Sequence, residues 1–313
     1  MAVIADDAVS ARSRFLGPGR LGWTKQLAQA ARTPRGRAGL VLAGAVILLA
    51  VVGPFVAPYS DTALVSAPFA TPSGSHILGG DVLGRDVLSR LLNGGWLLLL
   101  MALAATLLGV VVGGAAGIVA GYVGGRADPV IMRTVDVILA FPAMVFALLL
   151  VSIAGPQIGL IIIAVGLTHA PQVARVLRSA TLDVSEREFV KAAELDGLSP
   201  LAMITHEIVP NLVSPLMVEI GLRLTWSIIT LAALSFLGFG LQPPSPNWGQ
   251  MINENRLGIE VNAWATLAPV IVIVLLTVGV NMFADAFARV MIGVDRRAIV
   301  QAAPDAPPVL PSL

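Results

Sequence analysis

Within an apolar stretch of about residues 212–241, Glu219 and Arg223 stand four residues apart. On a helix that spacing puts both side chains on one face, close enough to neutralise each other. A charge at the bilayer centre costs on the order of 3 kcal/mol by insertion scales. Such a pair is therefore either a self-neutralised tie between helices or part of the wall of a passage for a zwitterionic solute, and Trp226 is grouped with it as a candidate wall residue. Other chemistry is sparse. The absence of cysteine removes disulfides, thiolate catalysis and Cys-ligated metals together. His76, His169 and His206 fall in three segments without ligand spacing. Lys25 and Lys191, the two lysines, follow no Gly-x-x-x-x-Gly pattern that would cradle nucleotide phosphates. No catalytic, cofactor-binding or metal-binding residue is expected in this chain.

The strongest pattern is a charged segment over residues 186–211, EREFVKAAELDGLSPLAMITHEIVPN. Ser185 followed by Glu188 reads as a capping box that starts a helix at Glu186. Phe189, Ala192 and Ala193 form an apolar, small-residue strip, and Gly197 ends the helix where a left-handed residue costs least. Ser199 and Pro200 start a second helix as cap and first turn, reaching the neighbourhood of Ile208 before Pro210. An ordered helix-Gly-helix insert between membrane segments is expected to be a docking surface. Glu188, Lys191, Ala192, Ala193, Glu194, Gly197, Leu198 and Leu201 are its candidate contact residues: small residues for close fit, leucines to fill pockets, charges to steer encounter.

The elements that hold these residues are membrane helices. Of 313 residues, 56% are hydrophobic and 12% charged, with mean hydropathy +0.85; soluble domains carry roughly 25% charged residues. Uncharged runs cover residues 39–60, 91–125, 137–174 and 261–284, each at least the roughly 20 residues that span a bilayer. Gly155-Pro156 divides the third run into helices over about 136–154 and 158–174. With the run near 212–241, six transmembrane helices are predicted in an all-α polytopic fold. Sixteen basic residues then fall on the side that holds both termini and the insert, against Arg85, Arg90 and Arg256 opposite. Basic residues are retained inside, so both termini and the insert are expected to face the cytoplasm of a plasma membrane. Asp136 with Arg133, and Asp285 with Arg289, are expected as local ion pairs near span ends.

Residues 1–38 read as a basic, mobile tail with a short amphipathic helix near residues 23–31, residues 39–58 as a retained first span, and 59–95 as an extracytoplasmic loop whose helix near 87–92 lies in the interface. The core is expected over 96–296, including the segment at 185–210, with a disordered tail over 297–313. Gly109, Gly113, Gly117 and Gly121 keep a four-residue period, a bare stripe along which two membrane helices can pack backbone to backbone. The net charge of +1 gives no reason to expect nucleic acid, whereas the basic tail suits anionic lipid.

Lys191-Ala192-Ala193, Gly197 and Ile208-Val209-Pro210 resemble the EAA loop of ABC-importer permeases, with Lys191 where that motif commonly has Glu. Further stretches resemble the C-type subunit of dipeptide and oligopeptide permeases: His76 to Gly79 with Asp81, Leu83 to Arg90, Ala120-Gly121-Tyr122, Asp136 with Phe141-Pro142, Leu234 to Gly238, and Gln242-Pro243-Pro244 through Trp248-Gly249. The resemblance runs from about Thr71 to Arg296. It implies a type I ABC-importer permease fold, a homologous B-type permease partner, two ABC ATPase subunits or domains that hold ATP and Mg, and an extracytoplasmic peptide-binding protein. Nickel complexes or glutathione are alternative solutes in that family. A proton-coupled carrier would not need the insert and commonly shows internal repeats, which are not seen; a membrane-embedded enzyme would need a cluster of reactive side chains.

Overall fold

The computed structural model describes residues 23–241 and 244–291. The tail expected over 297–313, and Gln242-Pro243, lie outside them. The described residues form helices α1 (Trp23–Arg32), α2 (Pro34–Val56), α3 (Val87–Asn93), α4 (Trp96–Val123), α5 (Ala127–Leu139), α6 (Ala143–Ala154), α7 (Ile158–Ser185), α8 (Glu188–Leu195), α9 (Val213–Phe236), α10 (Trp248–Asn255) and α11 (Trp264–Met291). Between α8 and α9 run Pro200–Ala202, a π-helical turn Met203–Ile208 and Val209–Asn211. Five spans among the described residues are long and apolar enough to cross a membrane, one of them joining α3 to α4, and the bent pair α5–α6 makes six where it is counted as one broken span.

That bent pair corrects one expectation. The helix predicted over 136–154 breaks by 86° between α5 and α6. Pro142 has no N–H to donate and disfavours helical backbone at the residue before it, so Phe141-Pro142 ends one helix and starts the next. Hydropathy, uniform across the break, carries no trace of it.

The long helices meet through backbone contact. A Cβ at Gly109 would lie 2.9 Å from the His169 Cβ, at Gly113 2.9 Å from the Ala170 Cα, at Gly117 2.9 Å from the Arg178 nitrogen and at Gly121 2.8 Å from the Thr181 Cβ. All four glycines of α4 therefore face α7, whose backbone sits where side chains would otherwise be. A second seam, unmarked by any period, joins α2 to α11: a Cβ at Gly39 would lie 2.7 Å from both the Gly279 oxygen and the Phe283 nitrogen. Dispersion contact over such seams drives association where lipid already satisfies apolar side chains.

Two apolar cores divide the bundle by height. One gathers Leu98, Met101, Ile228, Leu234, Trp248, Met251 and Leu276 at the end carrying α3 and α10. The other gathers Val173, Leu177, Val184, Val190, Met203, Ile208 and Leu212 at the end carrying α8. The helix expected near residues 87–92 is present as α3, buried against the bundle through Val87, Ser89, Arg90 and Leu91. The helix predicted near residues 23–31 is present as α1, and α2 begins at Pro34 with Thr33 as its cap.

Candidate functional site

The insert is built as a rigid turn. Capping at Ser185 is corrected: α7 continues through Ser185, whose hydroxyl donates to the Thr181 carbonyl at 2.8 Å, and α8 starts at Glu188 behind Arg187 with no side-chain cap. Burial of Leu177, Thr181 and Val184 holds the last turns of α7 helical and outweighs a local cap. The other end follows the sequence. Gly197 takes φ 78°, its N–H bonds the Glu194 carbonyl at 3.0 Å, and the Leu198 N–H reaches the Ala193 carbonyl at 3.2 Å. These two bonds satisfy carbonyls that the end of α8 would leave orphaned. The Ser199 hydroxyl then accepts from the Ala202 N–H, and Pro200 occupies the first turn. The π-helical turn falls just before Pro210, which lacks the N–H that would continue α-helical bonding.

One face of this turn is anchored and the other is bare. Val190, Met203, Ile208 and Leu212 are wholly buried, joined through one core to Val173, Leu177 and Val184 of α7 and to Val110 and Ile118 of α4. The Tyr122 hydroxyl at the end of α4 donates to Glu194 Oε1 at 3.4 Å. Glu194 is exposed at the edge of that contact and Ala193 is half-buried against the core, whereas Glu188, Lys191, Ala192 and Gly197 are exposed. Leu195 is 89% exposed and Leu201 73%, with Phe189 and Leu198 beside them in sequence and partly bare. Leu195 was not among the predicted contacts; its place one residue before the helix cap, pointing away from the buried Val190, is a tertiary fact.

Glu219 and Arg223 come together within the bundle. Arg223 Nε donates to Glu219 Oε2 at 3.1 Å and Arg223 Nη1 to Gln172 Oε1 at 2.7 Å. Gln172, not anticipated, connects the pair to α7 and lines a small cavity of about 240 Å³ with Thr168, Phe141 and Pro142 at the α5–α6 elbow. Trp226 stands apart and exposed. Asp136 pairs with Arg175 at 2.8 Å rather than Arg133, and Asp285 forms no ion pair with Arg289 among the described residues. Both expected partners lie on the same helix; Asp136 is instead met by a residue of the neighbouring α7.

The opposite end carries a buried ion cluster. Asp81 Oδ2 accepts from Arg85 Nε at 2.7 Å and Arg90 Nη1 at 2.6 Å, and Glu254 Oε2 accepts from Arg85 Nη2 at 2.9 Å and Arg90 Nη1 at 2.7 Å. Asn255 Oδ1 accepts from the Val82 N–H, and Asn262 Nδ2 donates to the carbonyls of Leu78 and Gly80. Trp248 Nε1 donates to the Leu91 carbonyl at 2.8 Å. Loop, α3, α10 and the start of α11 thus form one body.

A bare, rigidly based insert at one end of a polytopic bundle and a clamped loop at the other suit a membrane component driven by a separate subunit. The model of the binding-protein-dependent transport system inner membrane component family matches residues 113–293, more than half of the chain. The chain belongs to this family. The match contains the whole insert, the elbow and the Glu219–Arg223 pair. The chain is also 33% identical over 265 residues to the dipeptide transport system permease protein DppC of Alkalihalophilus pseudofirmus, covering 84% of this chain and 87% of that one. It is 35% identical to the di/tripeptide transport system permease protein DppC of Pseudomonas aeruginosa, covering 79% and 84%. With the glutathione transport system permease protein GsiD of Pectobacterium atrosepticum it shares 37% identity, covering 68% and 71%. This permease is a multi-pass protein of the inner membrane, and its family works with an ATPase, a binding protein and a further permease.

Proposed function

We propose that this permease is the C-type half of an ATP-driven importer of dipeptides or oligopeptides, paired with a B-type permease, two ATPase subunits or domains and an extracytoplasmic peptide-binding protein. Both termini and the insert face the cytosol in this reading, supported by the distribution of basic residues. ATP and Mg are held by the partner ATPases. The observation that carries the reading is the exposure of Leu195 and Leu201 around Gly197 on a turn whose underside is fully buried. Closure of an ATPase dimer against that turn would move α4 and α7 through the shared core, and alternating access would follow as rigid displacement of packed helices. The replacements Leu195→Asp with Leu201→Asp are expected to leave insertion and assembly of the permease pair intact. They should reduce ATP-dependent uptake of a labelled dipeptide into proteoliposomes at least tenfold. Uptake at the parental rate would remove the coupling role, and competition by unlabelled dipeptide, oligopeptide and glutathione in the same assay identifies the solute.

Glu219 and Arg223, joined by Gln172, form this half's share of the solute passage in the same reading, with Trp226 as a separate, exposed wall residue. Support comes from the uneven saturation of Arg223: Nε and Nη1 are engaged within the chain, and no bond is made by Nη2 among the described residues. A donor of that kind suits a peptide carboxylate. Glu219→Gln with Arg223→Gln removes both charges together, isosterically at 219 and with a shorter polar side chain at 223, so no unpaired charge is left and the fold should persist. Relative uptake across peptides of different charge should shift several-fold. A panel of lengths and charges transported as before would make the pair a structural tie alone.

A further inference from the structure

Lys25, Arg32, Arg35 and Arg37 are exposed, and none forms an ion pair among the described residues. No Asp or Glu occurs between Asp7 and Asp61, so the neighbouring chain offers no countercharge. These cations are not on a loose tail. On α1, Lys25 and Arg32 share the exposed face with Thr24, Ala28 and Gln29, whereas Leu27, Ala30 and Ala31 turn inward where α1 packs on α2 and α11. The corner between α1 and α2 is tight. Thr33 Oγ1 donates to the Ala30 carbonyl at 2.7 Å and accepts from the Gly36 N–H at 3.0 Å. A Cβ on Gly36 would collide with the Ala30 carbonyl oxygen. Arg32, Arg35 and Arg37 are therefore held on a fixed corner.

Beyond the corner, α2 continues into an uncovered apolar face. Arg37, Val41, Gly44, Leu48 and Phe55 recur at helical spacing on one side. Val41 is 70% exposed, Leu48 63% and Phe55 86%, and no atom lies within 4 Å of where a Gly44 side chain would begin. Cations at one end of a bare apolar helix face match a molecule with an anionic head and a hydrocarbon tail. A neutral lipid or an apolar helix of another subunit would cover the face but leave the cations unanswered. We infer that the α1–α2 corner is a binding site for one anionic phospholipid, its phosphate held by Arg37, which heads the bare face, with Arg32 from the corner, and an acyl chain along Val41, Gly44 and Leu48. The cytosolic leaflet as its source rests on the orientation proposed above.

The test is the lipid retained by the full-length chain, with whatever subunits copurify, after mild detergent extraction. Phosphatidylglycerol and cardiolipin should be enriched over the membrane from which it came. In Arg32→Gln/Arg37→Gln the preference should fall about fivefold for each arginine removed, whereas Arg35→Gln, on the other side of α2, should leave it unchanged. Arg12, Arg14, Arg20 and Lys25 remain as the topology signal, and a single cysteine placed in the insert of this cysteine-free chain reports its orientation. Retained lipid of bulk composition in the unmodified protein overturns the site without need of any variant. Enrichment that survives both the Arg32 and Arg37 replacements in a correctly oriented chain overturns it as well. Enrichment in a preparation that shows no ATP-dependent uptake upholds the site while counting against the importer reading.

Discussion

Arg90→Met is expected to cost the folded permease about 3–5 kcal/mol, the range for removing one partner of a buried ion pair. Arg90 is 1% exposed and bridges Asp81, which is fully buried, to Glu254. Two carboxylates and two guanidiniums balance there. Without Arg90, Arg85 alone would face both acids, leaving a net negative charge beneath the loop. Glu254→Gln should cost less, because Glu254 keeps 18% side-chain exposure and Asp81 retains both arginines. The double replacement restores the balance of Asp81 with Arg85 and should be less damaging than the two single losses added together. Detergent melting temperatures for the three proteins check the order. Equal melting for Arg90→Met and the parent would mean that the cluster contributes geometry without stability. Uptake should fall with stability, because the cluster makes loop, α3 and α10 move as one body.

What could be read in the chain, and what could not, divides along the range of the interaction. Five of the six predicted spans, the helix near residues 23–31 and the left-handed Gly197 depend on properties within a few turns, and the structure shows each where the pattern places it. Arg85 and Arg90 enter the sequence reading as basic residues of the outer side and not as a buried cluster, because Glu254, their second partner, lies 169 and 164 positions away. Gln172 gave no signal for a like reason: a lone amide in an apolar helix acquires meaning only when Arg223 meets it across 51 residues. The Gly39–Gly279 seam has one glycine on each helix and hence no period to find. Ser185 shows the reverse failure. Its local capping pattern was clear, but the buried face of α7 carried the helix past it.

Gly197→Val is expected to abolish ATP-dependent uptake while the chain remains inserted and paired, and the structure explains why the two effects separate. Gly197 sits at φ 78°, a region that a β-branched residue enters at a cost of roughly 1–3 kcal/mol. No atom lies within 4 Å of the added Cβ, so nothing inside the chain is displaced. The strain falls on the link between α8 and the π-containing helix, whose undersides are separately anchored by Val190 and by Met203 and Ile208. The bundle should therefore survive, while Leu195 and Leu201 lose their relative placement and the new side chain protrudes from the face between them. Gly197→Ala separates the two causes: it carries backbone strain with little added bulk and should retain part of the uptake that Val removes. ATPase activity in proteoliposomes, measured with and without peptide and binding protein, gives the decisive contrast, since a broken coupling leaves hydrolysis indifferent to both. Full uptake by Gly197→Val in a correctly assembled complex would show that the turn is no seat for the ATPase, whatever its exposure.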